Sequence, residues 1–279
     1  MKISTLILFI ITIIYPTFSL ALKPEKKYVT TPAQKGILYD SLSIKTKDGL
    51  KLSGWFIKSK DTKKSPTIII CGSDAGNMSY NLDYAIAINN YLKVSIVLFD
   101  YRGFGASDDF PIDTNILAYP EFITDINSTI DWVKVNLAID TNEIILYGMS
   151  MGASLSLVTA SKRNDIAGVI ADSPYSNQND IIEKLNKKNK NRIISKINSP
   201  LLEPIHNIRN IQNSAVVIIQ GQNDKNITFN EISNLFNNCV VINKSLWIAP
   251  QCNHLQAPYL YPNIYFKIFA QLVKDINKE

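Results

Sequence analysis

Beyond residue 40 the apolar positions fall into two kinds of pattern. Short unbroken runs, at residues 67–70, 94–99, 144–146, 166–171, 215–219 and 246–248, alternate with longer stretches where apolar residues recur every three or four places. Unbroken runs of this length suit strands buried on both faces of a parallel sheet. The recurring stretches predict helices. Phe122, Ile126, Ile130 and Val133 mark one. Ile264, Ile268, Leu272 and Ile276, with Tyr265, Phe269 and Val273 beside them, mark another, which Pro262 can begin. Residues 42–45 and 50–57 flank Lys47-Asp48-Gly49, an Asp-Gly turn that makes them a hairpin. The whole predicts an α/β fold, a mostly parallel eight-stranded sheet with helices on both faces. Right-handed crossovers then bring the strand C-terminal ends to one edge, where the sites of such folds form.

Two segments stand outside this rhythm. Residues 175–210 are rich in Asn, Lys and Ile, and crowd Lys184, Lys187, Lys188, Lys190, Arg192 and Lys196 together. They read as a small cap of one or two helices, inserted after the 166–171 strand. Residues 1–21 begin Met1-Lys2, continue as an apolar run to Tyr15, break at Pro16 and end Ser19-Leu20-Ala21. This is the pattern of a signal peptide cleaved after Ala21; an uncleaved N-terminal anchor is the alternative. Residues 22–279 are then one domain, exported to the periplasm or beyond, or held at a membrane.

Composition narrows the field further. Hydrophobic residues make up 46% of the 279, enough to offset chain entropy, so the chain is not disordered. A net charge of +5 is too small to argue for nucleic acid. Three cysteines cannot staple a fold of this size. Cys239 and Cys252 bracket an expected strand at 240–248, which separates them beyond bonding reach. Cys71 with Cys252 is a weaker candidate pair, and buried free thiols are the expectation. Two histidines and three cysteines show no metal spacing, so neither a metal nor a cofactor is expected.

The chemistry concentrates in loops that leave strands. Gly148-Met149-Ser150-Met151-Gly152 follows the 144–146 run and leads into a helical stretch. A G-x-S-x-G match alone is weak, but a strand before it and a helix after it make it a nucleophile elbow, with Ser150 exposed above the sheet edge. A serine nucleophile needs a base and an orienting acid. Of the two histidines, His206 lies in the cap, while His254 lies in the loop after the 246–248 run, on the expected edge. Asp224, in Gly221-Gln222-Asn223-Asp224, is the acid of choice, and Asp172, at the end of the previous strand, is its rival. Backbone N–H groups must also meet the developing oxyanion. Met151 supplies one. The other belongs to Cys71-Gly72-Ser73-Asp74-Ala75-Gly76-Asn77, with Ser73 chosen and Asp74 one residue away.

Taken together these segments resemble the α/β-hydrolase superfamily, and within it the compact BEM46-like and serine-aminopeptidase-like (S33) hydrolases. The resemblance covers residues from about 40 to 279. Its most specific part is Phe99-Asp100-Tyr101-Arg102-Gly103-Phe104-Gly105-Ala106-Ser107 after the fourth strand, where it implies that Asp100 and Arg102 brace the loops near the site. It implies the α/β-hydrolase fold and the chain order Ser150, Asp224, His254 for the triad. There are departures. Cys71-Gly72 stands where relatives carry His-Gly, in a loop one residue longer. Gln220-Gly221 replaces a second His-Gly before Asp224, and Asn253 replaces the glycine before His254.

The expected function is an exported serine hydrolase that cleaves a carboxylic ester, or a related acyl bond, through an acyl-enzyme. Aminopeptidase-like and thioesterase activity use the same triad, and a non-catalytic binding module on the same fold is the reading from another class. The expected partner is a small-molecule or lipid-like acyl substrate, taken by a monomer. The basic cap offers a peripheral contact to an anionic membrane surface, although a solvated basic face is the plainer reading.

Overall fold

The computed structural model describes residues 21–61, 66–137, 143–188 and 193–276. The expected leader up to residue 20 and the cap residues Lys190 and Arg192 lie outside the described residues. In chain order the elements are β1 Lys23–Pro24, β2 Asp40–Lys45, β3 Lys51–Ile57, β4 Thr67–Cys71, β5 Ala75–Gly76, α1 Leu82–Leu92, β6 Ser95–Phe99, α2 Glu121–Asn136, β7 Ile144–Met149, α3 Met151–Ala160, β8 Gly168–Asp172, α4 Gln178–Lys188, α5 Pro204–Asn207, β9 Ala215–Gly221, α6 Phe229–Asn238, β10 Lys244–Ala249, α7 Ala257–Leu260 and α8 Pro262–Ile276.

Eight strands form one sheet in the order β10-β9-β8-β7-β4-β6-β3-β2. β4 and β6 to β10 run parallel, while β3 is antiparallel to both β6 and β2. This is the α/β-hydrolase architecture. The hairpin forms in register, with Ile44 opposite Leu52, and Gly49 at φ 96 takes the turn position that L side chains avoid.

The unbroken apolar runs have the expected cause. Ile69 and Cys71 of β4 face one helical layer, packing with Phe122 and Ile126 of α2 and Leu155 of α3. Ile68 and Ile70 face the other, with Leu82 and Ile88 of α1 and Phe269 of α8. Every residue of β4 is buried, so neither side-chain direction tolerates a polar alternation. Each isoleucine so placed contributes about 1.5–3 kcal/mol.

Four expectations shift at their edges. Val94 is not in β6: Lys93, at φ 58, ends α1, and Val94 is the buried connection between them. The expected 166–171 strand runs Gly168–Asp172, because Ile166 and Ala167 are spent on the crossover from α3. The apolar residues at 240–242 do not join β10, which begins at Lys244. Val240 is 64% exposed and Ile242 fully exposed, while the Lys244 Nζ donates to the Phe236 and Cys239 carbonyls that end α6. In α8 the buried line is Tyr265, Phe269 and Leu272, and Ile264 is half exposed. Residues every four places drift around a helix of 3.6 residues per turn, so only part of the expected stripe can face the sheet.

The cap between β8 and β9 holds α4, the short α5 and turns of 3-10 helix. Gln178 ties its two ends: its N–H and Nε2 donate to the two carboxylate oxygens of Glu203 at 3.0 and 3.1 Å. Its later part runs beside the loop that follows β6, with Leu117 and Ser195 exchanging backbone hydrogen bonds with Ser195 and Asn115. Cys71, Cys239 and Cys252 are all buried free thiols, as expected. Burial pushes the Cys71 thiol up to about 12. Among the described residues, no helix is long and apolar enough to cross a membrane.

Candidate active site

The strand order brings the C-terminal ends of β4, β7, β8, β9 and β10 to one edge, and the candidate residues stand in the loops there. Ser150 joins β7 to α3 with φ 51 and ψ −114, a conformation an L residue adopts only under constraint. The constraint is visible on both sides. A Cβ at Gly148 would lie 2.3 Å from the Gly152 carbonyl oxygen, and one at Gly152 would lie 2.2 Å from the Cys71 carbonyl oxygen. The Ser150 N–H donates to Asp172 O at 2.8 Å, and its own carbonyl accepts from Ala153 and Ser154. The turn thus lifts a partly exposed hydroxyl to the helix N-terminus, where negative charge is favoured.

His254 reaches this hydroxyl from the loop after β10. Its Nε2 lies 3.0 Å from Ser150 Oγ, and its Nδ1 lies 2.6 Å from Asp224 Oδ2. The carboxylate fixes the proton on Nδ1 and leaves Nε2 to accept from the serine. The Asp224 side chain is fully buried, and His254 is 24% exposed. The two loops are sewn together: Asn223 N donates to Cys252 O at 2.8 Å, and a Cβ at Gly221 would lie 2.5 Å from Asn253 O.

Burial alone would raise the Asp224 carboxyl. The His254 hydrogen bond and charge, with the N–H groups of Asn226 and Ile227 at 2.8 and 3.1 Å, pull it below the usual range instead. For His254, burial works to lower the pKa. The Asp224 hydrogen bond and charge, joined by the charges of Asp74 and Asp172, outweigh it and raise the value. Burial pushes Asp74 upward.

Asp172, the rival acid, goes elsewhere. Its carboxylate accepts from Tyr265 OH at 2.6 Å and from Ser173 Oγ at 2.9 Å, and Tyr265 in turn meets Tyr147 OH at 2.8 Å. Burial pushes it up to about 6 against those hydrogen bonds. His206 is exposed in the cap. Met151 opens α3, where an N–H has no intrahelical acceptor. Ser73 and Asp74 lie between the Gly72 carbonyl, pressed against Gly152, and β5.

The loop after β6 braces this edge. Asp100 Oδ1 accepts from Met78 N at 2.6 Å, and Gly105, at φ 45, has no room for a Cβ, which would lie 1.9 Å from Asp100 Oδ2. Arg102 is buried and forks between Asp125 of α2 and Asp48 of the hairpin turn, with contacts of 2.6 to 3.0 Å.

Comparison with known proteins bears on the family and the fold. The family model of the serine aminopeptidases, S33, matches residues 90–211, which include Ser150. The bem46 protein of Schizosaccharomyces pombe is 23% identical over 270 residues, 95% of this chain and 87% of that protein. An esterase of Pyrococcus furiosus superposes with a TM-score of 0.76 at 20% identity, covering 91% of this chain and 97% of the esterase, a likeness of fold. The chain has the α/β-hydrolase fold and is similar in sequence to the BEM46-like hydrolases. A further relative, the α/β-hydrolase-domain protein WAV2 of Arabidopsis thaliana, is 28% identical over 153 residues, 54% of this chain; the match spans 48% of the plant protein's length.

The places where this chain departs from the BEM46-like pattern acquire roles. Gln220 lies behind the acid loop, and its Nε2 donates to Asp224 Oδ2 at 3.0 Å and to Ile227 O at 3.0 Å. Asn253 is exposed and held through Gln256 Oε1. Two parts of the site escape sequence reading. One is the charge of Asp74 near His254. The other is the pairing of β1 with β5, which two residues, Lys23 and Pro24, form without any apolar pattern.

Proposed function

We propose that this chain is a serine hydrolase that cleaves carboxylic esters through an acyl-enzyme. The observation that carries the reading is the bridge His254 makes between Ser150 and Asp224. His254 Nε2 takes the hydroxyl proton as Ser150 Oγ attacks the acyl carbonyl, and the carbonyl electrons move onto its oxygen. The N–H of Met151 and that of Ser73 receive the oxyanion. The intermediate collapses, His254 hands its proton to the leaving alcohol, and the acyl group stays on Ser150. Water, deprotonated by His254, then releases the acid and restores the serine. Asp224 holds the Nδ1–H tautomer and stabilises the imidazolium.

The substrate in this reading is a small or lipid-like acyl ester taken by the monomer, and the N-terminal apolar segment directs the enzyme to export or holds it at a membrane. The cap lysines favour a small-molecule substrate over a membrane surface. Lys184 pairs with Glu231 and Lys187 with Glu183, so part of the local charge is already paired, and Lys188 is held by the neutral Asn226 amide.

Labelling by a fluorophosphonate, with a panel of p-nitrophenyl esters and thioesters, tests the proposal. Labelling and ester turnover that both vanish in Ser150→Ala support it. A folded wild-type chain that takes no label overturns it and leaves a binding module on the same fold. Turnover of thioesters in preference to esters moves the substrate class.

A further inference from the structure

Residues 21–29 are bound to the loop that carries Ser73. Ala21 and Leu22 are buried, and Leu22 N donates to Thr114 O at 3.3 Å. β1 then lies parallel to β5, Lys23 beside Ala75 and Pro24 beside Gly76. Lys23 N donates to Asp74 O at 2.8 Å and Glu25 N to Gly76 O at 2.9 Å. The Asn77 side chain donates to Glu25 O and to Lys27 O, both at 2.9 Å, and Tyr80 OH to Glu25 Oε2 at 2.7 Å. Beyond the strand, Gly105 N donates to Glu25 O at 3.0 Å, Tyr28 OH to Asp100 Oδ2 at 2.8 Å and Val29 N to Ser79 Oγ at 3.0 Å.

A two-residue strand pair is too short to be stable alone, so this density of side-chain bonds needs a reason. The loop's geometry provides one. At one end, Cys71 and Gly72 are fixed because their carbonyls touch Gly152 of α3. At the other, Gly76 sits at φ 80 against the Tyr80 ring, and Met78 N is held by Asp100. Between these anchors Ser73 and Asp74 form a short bridge, and the Lys23 N–H on the Asp74 carbonyl is the grip on that bridge.

We propose that residues 22–28 are a positioning strap for the oxyanion loop, so that the stretch directly after the N-terminal apolar segment sets the direction of the second oxyanion donor. This rests on the esterase reading above. A leader cut after Ala21 leaves the strap whole, and a cut a few residues later removes the Lys23 grip. The strap touches no substrate; it acts through Ser73.

The test compares Lys23→Pro with Lys23→Ala in the full chain. Both lose the ammonium, but only proline loses the N–H given to Asp74. The expected result is a kcat about 10- to 100-fold lower in Lys23→Pro, with KM within about threefold of wild type and a parallel loss of affinity for a boronic acid that mimics the tetrahedral intermediate. Lys23→Ala keeps kcat and boronate affinity. Tyr28→Phe, which removes one of the hydrogen bonds to Asp100, gives a second and smaller fall at unchanged KM should the proline variant fail to fold. If the folded proline and alanine variants turn over equally, or if KM moves and kcat does not, the strap is overturned while the esterase reading stands. A wild-type chain without ester turnover or fluorophosphonate labelling overturns both.

Discussion

Gln220 Nε2 donates to Asp224 Oδ2 at 3.0 Å, onto the same oxygen that takes the Nδ1–H of His254 at 2.6 Å. The glutamine orients the acid from behind, as the acid orients the histidine. Gln220→Leu removes that donor and orphans the Ile227 carbonyl; turnover is expected to fall about tenfold at a stability loss of about 1–2 kcal/mol. Gln220→Glu is worse at pH 8, since it sets a second carboxylate beside Asp224 in a buried site. Steady-state kinetics of the two variants decide the matter, and a leucine variant as active as wild type removes the role.

The two candidate acids separate by their partners. Asp224 meets His254, while Asp172 meets Tyr265 and Ser173. Asp224→Asn is expected to lose about 10³- to 10⁴-fold in kcat, because an amide no longer holds the productive tautomer. Asp172→Asn is expected to stay within about tenfold, since its hydrogen bonds go to Tyr265 and Ser173 and it acts on the histidine by charge alone. The reverse ranking in ester hydrolysis moves the acid to β8.

The pH profile follows from charge. His254 must be neutral to act as base, and its pKa is raised because Asp224, Asp74 and Asp172 together outweigh burial. Protonation is therefore favoured, and activity is lost as pH falls through a value raised from that of an ordinary histidine. Asp74→Asn removes one of the three charges, so the acidic limb of kcat/KM moves to lower pH. A limb that stays in place shows that Asp74 does not act on His254.

Strain at Ser150 gives a stability prediction. At φ 51 and ψ −114 the residue occupies a region glycine enters at little cost. Ser150→Gly is expected to abolish turnover and to raise stability by about 1 kcal/mol, whereas Ser150→Ala abolishes turnover without that gain. Urea denaturation of the two inactive variants reads the difference, and equal midpoints show that the elbow holds no strain a glycine relieves.

Much of this was legible in the sequence because its causes are local. An unbroken run such as 67–70 has to be a doubly buried strand, and Gly148 and Gly152 surround Ser150 because backbones pass within contact distance of both. His254 was legible by position, since only two histidines exist and only one follows a strand. What stayed hidden has long-range causes. Lys23 and Pro24 carry no periodicity, and their strand exists only because the distant Asp74, Gly76 and Asn77 accept and donate to it. Val240 and Ile242 look like strand residues, but the end of α6 and its Lys244 cap decide where β10 begins.

The fork at Arg102 joins the hairpin turn, through Asp48, to α2, through Asp125, and so holds the loop that braces the site. The Asp125 side chain is fully buried, and burial pushes its carboxyl up to about 6 even with Arg102 bonding it. Arg102→Met removes the guanidinium and leaves that carboxylate buried without a cation, which is expected to cost about 3–5 kcal/mol at pH 8. The sign with pH is fixed by linkage. Without Arg102 the folded-state value rises further, so below it the native chain holds a proton that the unfolded chain, with a carboxyl near about 3.9, has released. The variant's deficit is therefore full at pH 8 and shrinks as pH falls through that raised value toward 5. Urea midpoints of wild type and Arg102→Met at pH 8 and pH 5 measure it. A deficit equal at the two values would trace the loss to packing of the arginine stem, and the charge account of the fork would fail.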